Sequence, residues 1–468
     1  ILLLLGPFFL WIGGALVLSR IGAAGPQILN RLFGWSPAIS DIRRGLSGSG
    51  SSKSVSQLSL ILLLTLSIVT LAAVQGHTGT MVDERTTNAQ NGADLMVQFD
   101  TSLTEQEARN QIMQSIDSID DNDITEISSM TSVAQTITKT KAEETMLITW
   151  VVFDGHEDTL IWDSQAIPGD DINELSETWR LGGYTAGQDA RNSLDNPSIG
   201  KALTLQYTTY EINQFGLPVE TSVSETTVNY AGRHQWVPGI SSIESDSVIV
   251  IGESTYRELV GNQTVDSHTS TTWMFELCDE SESGCSSALE TLSADLKSNN
   301  GVVSASDWST AHEQNERNGG LIFGTPGLLS MMFVVAALAS VSSAFVFLSL
   351  VLSQRKRELA ILQAIGASPN QVIRLVLFEI MSILLMSMLL GVTLGLAVSE
   401  SFNGFFSIFG FIFQLFLGQS VPIDRNLVWP WLEIIAVNGL VLVAVIISLL
   451  FTTRRALDSD LATVLKGE

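Results

Sequence analysis

The sequence predicts a polytopic α-helical membrane protein with about five spans and one large α+β extracytoplasmic domain. The charge distribution is the first reason: residues 75–320 carry 40 of the 49 acidic residues but only 11 of the 24 basic ones, a net charge of −29. The remaining residues are strongly apolar and carry a net charge of +4. This division excludes a simple soluble enzyme, and the acidic surface argues against nucleic acid as a partner.

Long apolar stretches are the second reason, since a helix needs about 20 apolar residues to cross a bilayer. The first stretch opens the chain without a methionine, so we expect the sequence to begin inside a longer polypeptide. The third is longer than the hydrocarbon core requires, and its excess is expected to project from the bilayer as a stalk. The predicted spans are residues 1–18, 55–75, 321–353, 374–398 and 429–453.

Basic residues predict the orientation of these spans. They concentrate in a linker, 19–54, a loop, 354–373, and a tail, 454–468. With five spans all three lie on one side, which the positive-inside bias makes cytoplasmic. Residues 76–320 then lie outside the cytoplasm, in a multi-pass protein of the cell (plasma) membrane. The phenylalanine-rich stretch 399–428 is expected to be an apolar segment at the outer face, because a full crossing would move the C-terminal bases outside.

The outer domain shows a mixed pattern of strands and helices. Ser102 with Glu105 predicts a capping box that opens a helix ending near Ile116, and Ser287–Lys297 predicts a second helix. The stretch 158–241 is more polar and looser in pattern, and we expect an inserted lobe there. The predicted strands are Ala93–Phe99, Met146–Phe153, Ser247–Gly252 and Thr271–Leu277.

Cys278 and Cys285 are the only cysteines, and both fall in the predicted outer domain. In an oxidising compartment they would form a disulfide that closes a small loop; otherwise they are two reduced surface thiols. No histidine or second cysteine pair lies nearby in the sequence, so no metal site is predicted there.

We find no enzyme active site in the sequence. The stretch Gly45–Ser54 resembles a phosphate-binding loop, but Ser52 rather than glycine precedes Lys53, so a flexible linker is favoured. The chain is expected to hold no cofactor of its own, and another subunit must supply any energy. Among acids near the spans, Glu379 and Glu433 can both reach an interface, and the deeper Asn438 is expected to bond a neighbouring helix.

The most informative stretch lies in the cytoplasmic loop 354–373. It begins as a basic helix leaving the membrane, becomes short and apolar, and stops at Gly366 with Pro369 beyond. A short helix that is apolar all round needs two neighbours, which here would be the membrane and a groove on a protein. The alternative is an ordinary loop whose bases only set the topology.

This stretch resembles the signature of the FtsX-like or MacB-type ABC transporter permeases, which include the lipoprotein-releasing permeases. The residues that match are Arg357, Glu358, Leu362, Ala364, Gly366 and Ala367. The chain end is also similar to that family, at Arg454, Arg455, Ala456, Ala462 and Leu465. The order of one span, a large outer domain and three further spans is the family's layout over residues 55–468. The extra first span resembles the longer form with two permease repeats, of which this chain would be the second half.

The resemblance implies a role and partners for this chain. The loop would be a coupling helix on an ABC ATPase subunit that binds ATP and Mg²⁺, and the outer domain would be of the MacB-like periplasmic-core type. The chain would work by mechanotransmission on a lipid, lipoprotein or other amphiphilic cargo. It would contact membrane lipids, and form a homodimer or pair with another permease half. The implied ATPase contacts are Arg357, Glu358, Leu359, Leu362, Ala364, Ile365, Gly366 and Ala367.

Two other classes compete with this interpretation. A membrane-anchored receptor or adhesin would have the same outer domain and no transport role. An ion-coupled carrier is disfavoured, because few charges are predicted within the membrane and no pair of broken helices is evident.

Overall fold

The structure is a computed structural model, and it describes most of the chain. The described ranges are residues 2–23, 52–119, 124–142, 144–155, 159–240, 242–266, 268–278, 284–323, 384–404 and 426–457, with the single residues 28, 31, 335, 338, 342, 361, 366 and 368. The chain divides into two compact units. The first unit comprises Ile1–Thr80, Gly319–Phe409 and Arg425–Glu468, and the second comprises Met81–Asn318 with Gly410–Asp424.

The chain opens with two long helices, α1 over Leu2–Ala23 and α2 over Ser52–Asn91. Helix α2 continues 16 residues past the predicted end of the second span at residue 75, although this extension is rich in the poor helix formers Gly, Thr and Asn, because tertiary contacts override intrinsic propensity. It ends where Gly92 takes a φ of +75° and donates its N–H to the carbonyl oxygen of Asn88 at 2.9 Å. This is the usual glycine stop of a helix.

The second unit contains a four-stranded antiparallel sheet. Its strands are β1 (Leu95–Leu103), β2 (Ser129–Ser132), β9 (Ser270–Glu276) and β10 (Val302–Asp307), in the spatial order β10-β1-β9-β2. Two helices, α3 (Glu105–Ser118) and α9 (Cys285–Ser298), share its hydrophobic core. The apolar face predicted for the second of these is buried, at Leu289, Leu292 and Leu296.

The capping box of α3 lies two residues beyond the predicted one. Thr104 caps the helix and Glu107 reaches back to it, whereas Ser102 and Glu105 do not form the box. Both pairs fit the spacing of the motif. Strand β1 runs on to Leu103, so the helix cannot begin earlier.

The rest of the second unit is built on a closed barrel with the strand order β3-β4-β8-β5-β7-β6. These strands are β3 (Ala134–Thr140), β4 (Met146–Val152), β5 (Gly183–Ala186), β6 (Ala202–Ile212), β7 (Pro218–Arg233) and β8 (Val248–Gly252). The predicted lobe at 158–241 is therefore neither loose nor self-contained. Its strand β5 pairs with β8, and its strand β6 closes the barrel against β3.

Short helices connect the barrel strands and lead back to the sheet. They are α4 (Ile172–Arg180), α5 (Gln188–Ser193), α6 (Ser242–Ser247), α7 (Glu253–Val260) and α8 (Asn262–Asp266). After β10 the chain enters helix α10, Trp308–Phe323, so this helix begins well before the predicted span at 321. Together the sheet, the barrel and the helices confirm an α+β domain.

Two helices complete the description of the first unit, α11 (Leu384–Gly404) and α12 (Trp431–Leu457). Among the described residues three helices are long and apolar enough to cross a membrane, at Leu5–Gly22, Ser59–Asn91 and Leu384–Gly404, and a shorter apolar helix covers Trp431–Ala444. These helices confirm the membrane class, while the number of five spans and their orientation stay predictions. Nearly all of the predicted span 321–353 lies outside the described residues. So do residues 374–383 of the predicted span 374–398 and residues 405–425 of the predicted outer segment 399–428.

Candidate functional site

The predicted coupling segment lies mostly outside the described residues. Three of its residues are described: Ile361 is helical with 45% of its surface exposed, Gly366 lies in a turn with a φ of +107°, and Ser368 is exposed in an irregular stretch. L-residues rarely adopt such a φ, so glycine is the residue that fits this position. The predicted contact residues outside the described part are Arg357, Glu358, Leu359, Leu362, Ala364, Ile365 and Ala367.

Within the first unit, helix α11 packs closely on helix α2 through two glycines spaced four residues apart. A Cβ atom added to Gly391 would lie 3.0 Å from the Leu66 Cβ. One added to Gly395 would lie 2.6 Å from the Thr70 Cβ and 2.9 Å from the Ser67 carbonyl oxygen. Small residues at this spacing let two membrane helices approach closely, as in the GxxxG motif.

Hydrogen bonds reinforce this helix pair. The hydroxyls of Ser59 and Ser387 lie 2.9 Å apart, and both residues are fully buried. Farther along, the side chain of Gln75 donates from Nε2 to the carbonyl oxygen of Ser399 at 3.0 Å. In an apolar environment such bonds between helices add stability and fix their register.

Helix α12 carries the two polar residues singled out in the fifth predicted span. A carboxylate oxygen of Glu433 lies 3.9 Å from His77 Nδ1, and both side chains are more than a third exposed. Asn438 is buried, but its Nδ2 donates to the Ile434 carbonyl oxygen of its own helix at 2.7 Å. Among the described residues its Oδ1 has no hydrogen-bond partner, so the bond expected from Asn438 to a neighbouring helix is not found in that part of the chain. Glu379 lies outside the described residues.

Within the second unit, the last turns of α2 and the first turns of α10 form a hydrogen-bonded pair. Trp308 donates its indole N–H to Asn88 Oδ1 at 2.7 Å. Two turns of α10 later, Asn315 donates to Thr87 Oγ1 at 3.0 Å and to Gln90 Oε1 at 3.1 Å. The helix that enters this unit and the helix that leaves it are therefore tied side by side, and we call them the entry–exit pair.

The end of α2 is also tied to the barrel side of the second unit. Arg85 Nε lies 2.6 Å from Asp163 Oδ2, and the two side chains are only 9% and 12% exposed. One turn later the carbonyl oxygen of Ala89 accepts the N–H of Gly239 at 2.9 Å. Ala89 also packs with Ala166 and Trp236 in a small buried cluster.

Asp307 holds the start of α10. It is fully buried, and its Oδ1 accepts the N–H of Thr310 at 2.7 Å while its Oδ2 accepts the Ser293 hydroxyl at 2.5 Å. Burial opposes the charge on this carboxylate, but the hydrogen bonds from Ser293, Thr310 and Ser309 together outweigh burial and hold its pKa below the ordinary value. Asp307 thus caps α10 and joins it to α9.

Cys278 and Cys285 are joined by a disulfide, and the described part of the chain contains no free cysteine. The bridge links the end of β9 to the first residue of α9. No group of three His, Cys, Asp or Glu side chains among the described residues is arranged to hold a metal ion.

Sequence reasoning did not single out Arg85, Asp163 or Asp307. The only local signal was the aspartate directly before the helix start at Trp308, a common N-cap residue. The ion pair between Arg85 and Asp163 joins residues far apart in the sequence, so no local sequence pattern predicts it.

Residues 330–461 match the family model described as FtsX-like permease C-terminal. No curated protein matches this chain. The match agrees with the resemblance noted for the loop 354–373, and its range includes all of that loop. A domain of this family indicates the permease of an ABC transporter, typically a non-enzymatic subunit that pairs with an ABC ATPase, and together with the apolar helices it supports a location in the membrane.

Proposed function

We propose that this chain, which carries an FtsX-like permease C-terminal domain at residues 330–461, couples ATP hydrolysis by a partner ATPase to movements of its extracytoplasmic domain. The observation that carries the proposal is the way helix α2 ends. Its last turns are fixed by Asn88 to the start of α10, and by Arg85 and Ala89 to loops on the barrel side of the second unit. A displacement of this helix would therefore be passed to the whole of that domain.

The input would be the loop 354–373. A short helix there, ended by Gly366, would dock on the ATPase through the apolar side chains of Leu359, Leu362 and Ile365. The small residues Ala364 and Ala367 would allow close approach of the two backbones, and Arg357 and Glu358 would fix the register by charge. Each of these roles follows from the residue type and from the family resemblance.

The transmission would run through packed helices. Helix α11 follows the loop in the chain and is packed on α2 through Gly391 and Gly395. Because closely packed elements change arrangement as units rather than deforming gradually, a shift of one helix carries the other with it. The entry–exit pair would then deliver the movement of α2 and α10 to the outer domain together.

The output would be work done outside the cytoplasm on a lipid, lipoprotein or other amphiphilic cargo, as the resemblance implies. The permease would act as a homodimer or with another permease half, and in contact with membrane lipids. ATP and Mg²⁺ would be bound by the ATPase subunit.

The experiment that tests this function measures ATPase stimulation. The full chain is reconstituted with a candidate ABC ATPase, and the variants Ala364→Glu and Gly366→Glu are compared with the wild type. We expect both variants to lose complex formation and stimulated ATP hydrolysis, because a bulky charge cannot enter a close apolar contact. Gly48→Glu, in the cytoplasmic linker 19–54, is the control and should behave as the wild type. Unchanged binding and stimulation in both variants would refute the coupling helix, whereas a wild-type chain that forms no complex with the ATPase would favour the receptor or adhesin class.

A further inference from the structure

The second unit contains a cleft between its sheet and the helices that lead back from its barrel. Its volume is about 470 Å³, within the range of ligand pockets, which is about 300–1,000 Å³. Thr104 and Glu105 line it from the start of α3, and Glu253, Arg257 and Asp266 line it from α7 and α8. We call this space the α7–α8 cleft.

The walls of the cleft include aromatic rings. Phe153 and His268 are in contact, with ring centroids 5.3 Å apart, and Trp273 lines the same space. The indole N–H of Trp273 already donates to the Ser270 carbonyl oxygen at 3.1 Å, so only the aromatic ring of Trp273 is left to contact a ligand. Aromatic faces attract cations, and quaternary ammonium groups above all.

The charges in the cleft also favour a cation. Its lining has three carboxylates, those of Glu105, Glu253 and Asp266, and one guanidinium, that of Arg257. The guanidinium is held by Glu253 through Nε at 2.8 Å and by Asp266 through Nη1 at 2.8 Å. An anion would have to displace these partners. A cation would instead meet the excess negative charge that remains.

His268 does not offset this charge. Burial lowers the pKa of its imidazole, so the ring is neutral at neutral pH. Its Nε2 is buried and has no hydrogen-bond partner among the described residues. A neutral imidazole nitrogen of this kind can take part in a hydrogen bond with a ligand.

We propose that the α7–α8 cleft binds an organic ammonium group. A bare metal ion fits less well, because no three His, Cys, Asp or Glu side chains in the described part of the chain converge with a spacing that could ligate one. Two sources carry such a group outside a cell: the headgroup of an amphiphile and the side chain of a lysine. The shared chemistry is a positive nitrogen lying against aromatic rings and beside a carboxylate.

The test is calorimetric titration of the purified full chain with small probes. Choline represents a quaternary headgroup, butylammonium represents a lysine side chain, and 3,3-dimethylbutan-1-ol is the neutral analogue of choline in which carbon replaces nitrogen. We expect choline or butylammonium to bind and the neutral alcohol not to bind; which of the two cations binds more tightly distinguishes the sources. Equal binding of the neutral alcohol, or no binding of either cation, would overturn the proposal.

Variants tie the binding to the cleft. Glu105→Gln should weaken cation binding by up to about fivefold, the value of a partly exposed charge pair. Phe153→Leu keeps an apolar side chain but removes the ring, and should weaken binding by about two- to fivefold. Glu290→Gln removes an exposed carboxylate of α9 outside the cleft and should have no effect.

The thermal midpoint of each variant shows that it folds. If Glu105→Gln, Phe153→Leu and Asp266→Asn all bind the cations as the wild type does, the site is not this cleft. The assay needs no ATPase, so its failure would leave the proposed coupling function unaffected.

Discussion

Arg85 and Asp163 form an ion pair 2.6 Å long, with both side chains almost fully buried, where the last turns of α2 meet the barrel side of the second unit. The two residues lie in different elements and in distant parts of the sequence. Asp163 also caps the short helical turn Ser164–Ala166, by accepting the N–H of Gln165 at 2.8 Å. The pair thus fixes the end of a long helix to the domain that it is proposed to move.

Removing one partner of this ion pair should cost much more than removing both. Arg85→Met leaves the Asp163 carboxylate buried without its counter-charge, and should lower the free energy of unfolding by about 3 kcal/mol. Adding Asp163→Asn to that variant should restore part of the loss. Chemical denaturation, monitored by circular dichroism, measures the free energy of unfolding of the single and the double variant. Arg317→Met, which breaks an exposed pair with Glu313, is the control and should cost less than about 1 kcal/mol. Equal losses at Arg85 and Arg317 would contradict the assignment.

The contact between α11 and α2 should not tolerate an added methyl group. Gly395→Ala would place a Cβ 2.6 Å from the Thr70 Cβ, so the helices must move apart, and we expect a loss of about 1–3 kcal/mol. Gly439→Ala is the matched control in α12, because no atom of the described residues lies within 4 Å of the added Cβ. It should be neutral or slightly stabilising, as alanine favours helix over glycine. Thermal unfolding in detergent compares the two, and equal midpoints would show that the glycine contact is absent.

The cap on α10 should depend on the charge of Asp307. Asp307→Asn should destabilise the outer domain by about 1–2 kcal/mol at neutral pH, because the carboxylate accepts from Thr310, Ser309 and Ser293. Since the folded-state pKa of Asp307 lies below its unfolded value near 4, its contribution is fully present above that pH. It is lost as the pH falls through the folded-state pKa. Denaturation curves of wild type and variant should therefore converge in acid; a constant difference down to the lowest pH would refute the role.

His234 should make the outer domain sensitive to mild acid. Its side chain is fully buried and makes two hydrogen bonds, each 3.1 Å long. The Nε2 atom donates to the Ser245 carbonyl oxygen, so the Nδ1 atom accepts from the Thr185 hydroxyl. Burial lowers its pKa to about 4, whereas the unfolded value is near 6.5. The unfolded chain therefore takes up a proton first, and stability should fall as the pH falls from about 6.5 to 4, by on the order of 3 kcal/mol. His234→Gln should remove this slope while keeping a donor and an acceptor.

Much of the fold follows from local pattern. Helix α9 was predicted because Leu289, Leu292 and Leu296 recur at helical spacing, and all three are buried against the sheet. The strands at 95–103, 146–152, 248–252 and 270–276 fall near their predicted positions, because β-rich runs between turn residues are a strong signal.

The barrel could not be predicted in this way. Strand β5, Gly183–Ala186, has four residues, and it pairs in parallel with β7 and antiparallel with β8. Which strands pair at such distances depends on the whole core rather than on the residues of any one strand. The Arg85–Asp163 ion pair could not be predicted for the same reason, since its formation depends on how distant elements pack. The end of α2 was missed for another reason, since hydropathy marks where a helix leaves the membrane and not where it stops.

The ATPase contact predicted for the loop 354–373 depends on one stretch of sequence and one resemblance. The match of residues 330–461 to the FtsX-like permease C-terminal family agrees with that resemblance. The contacts of Arg357 and its neighbours with an ATPase stay a prediction, because they belong to an interface between two chains.

The most direct test of coupling is a distance measured during the ATPase cycle. The described residues contain no free cysteine, so Glu290→Cys in the outer domain and Trp431→Cys at the start of α12, both exposed, can carry spin labels. Pulsed electron–electron double resonance then gives the distance between the labels in the complex with the ATPase. The two states compared are the complex without nucleotide and the complex with ATP and vanadate, which traps the nucleotide. We predict that the distance distribution shifts with nucleotide and that Gly366→Glu abolishes the shift. An unchanged distribution in a complex that hydrolyses ATP would contradict the coupling of hydrolysis to movement of the outer domain.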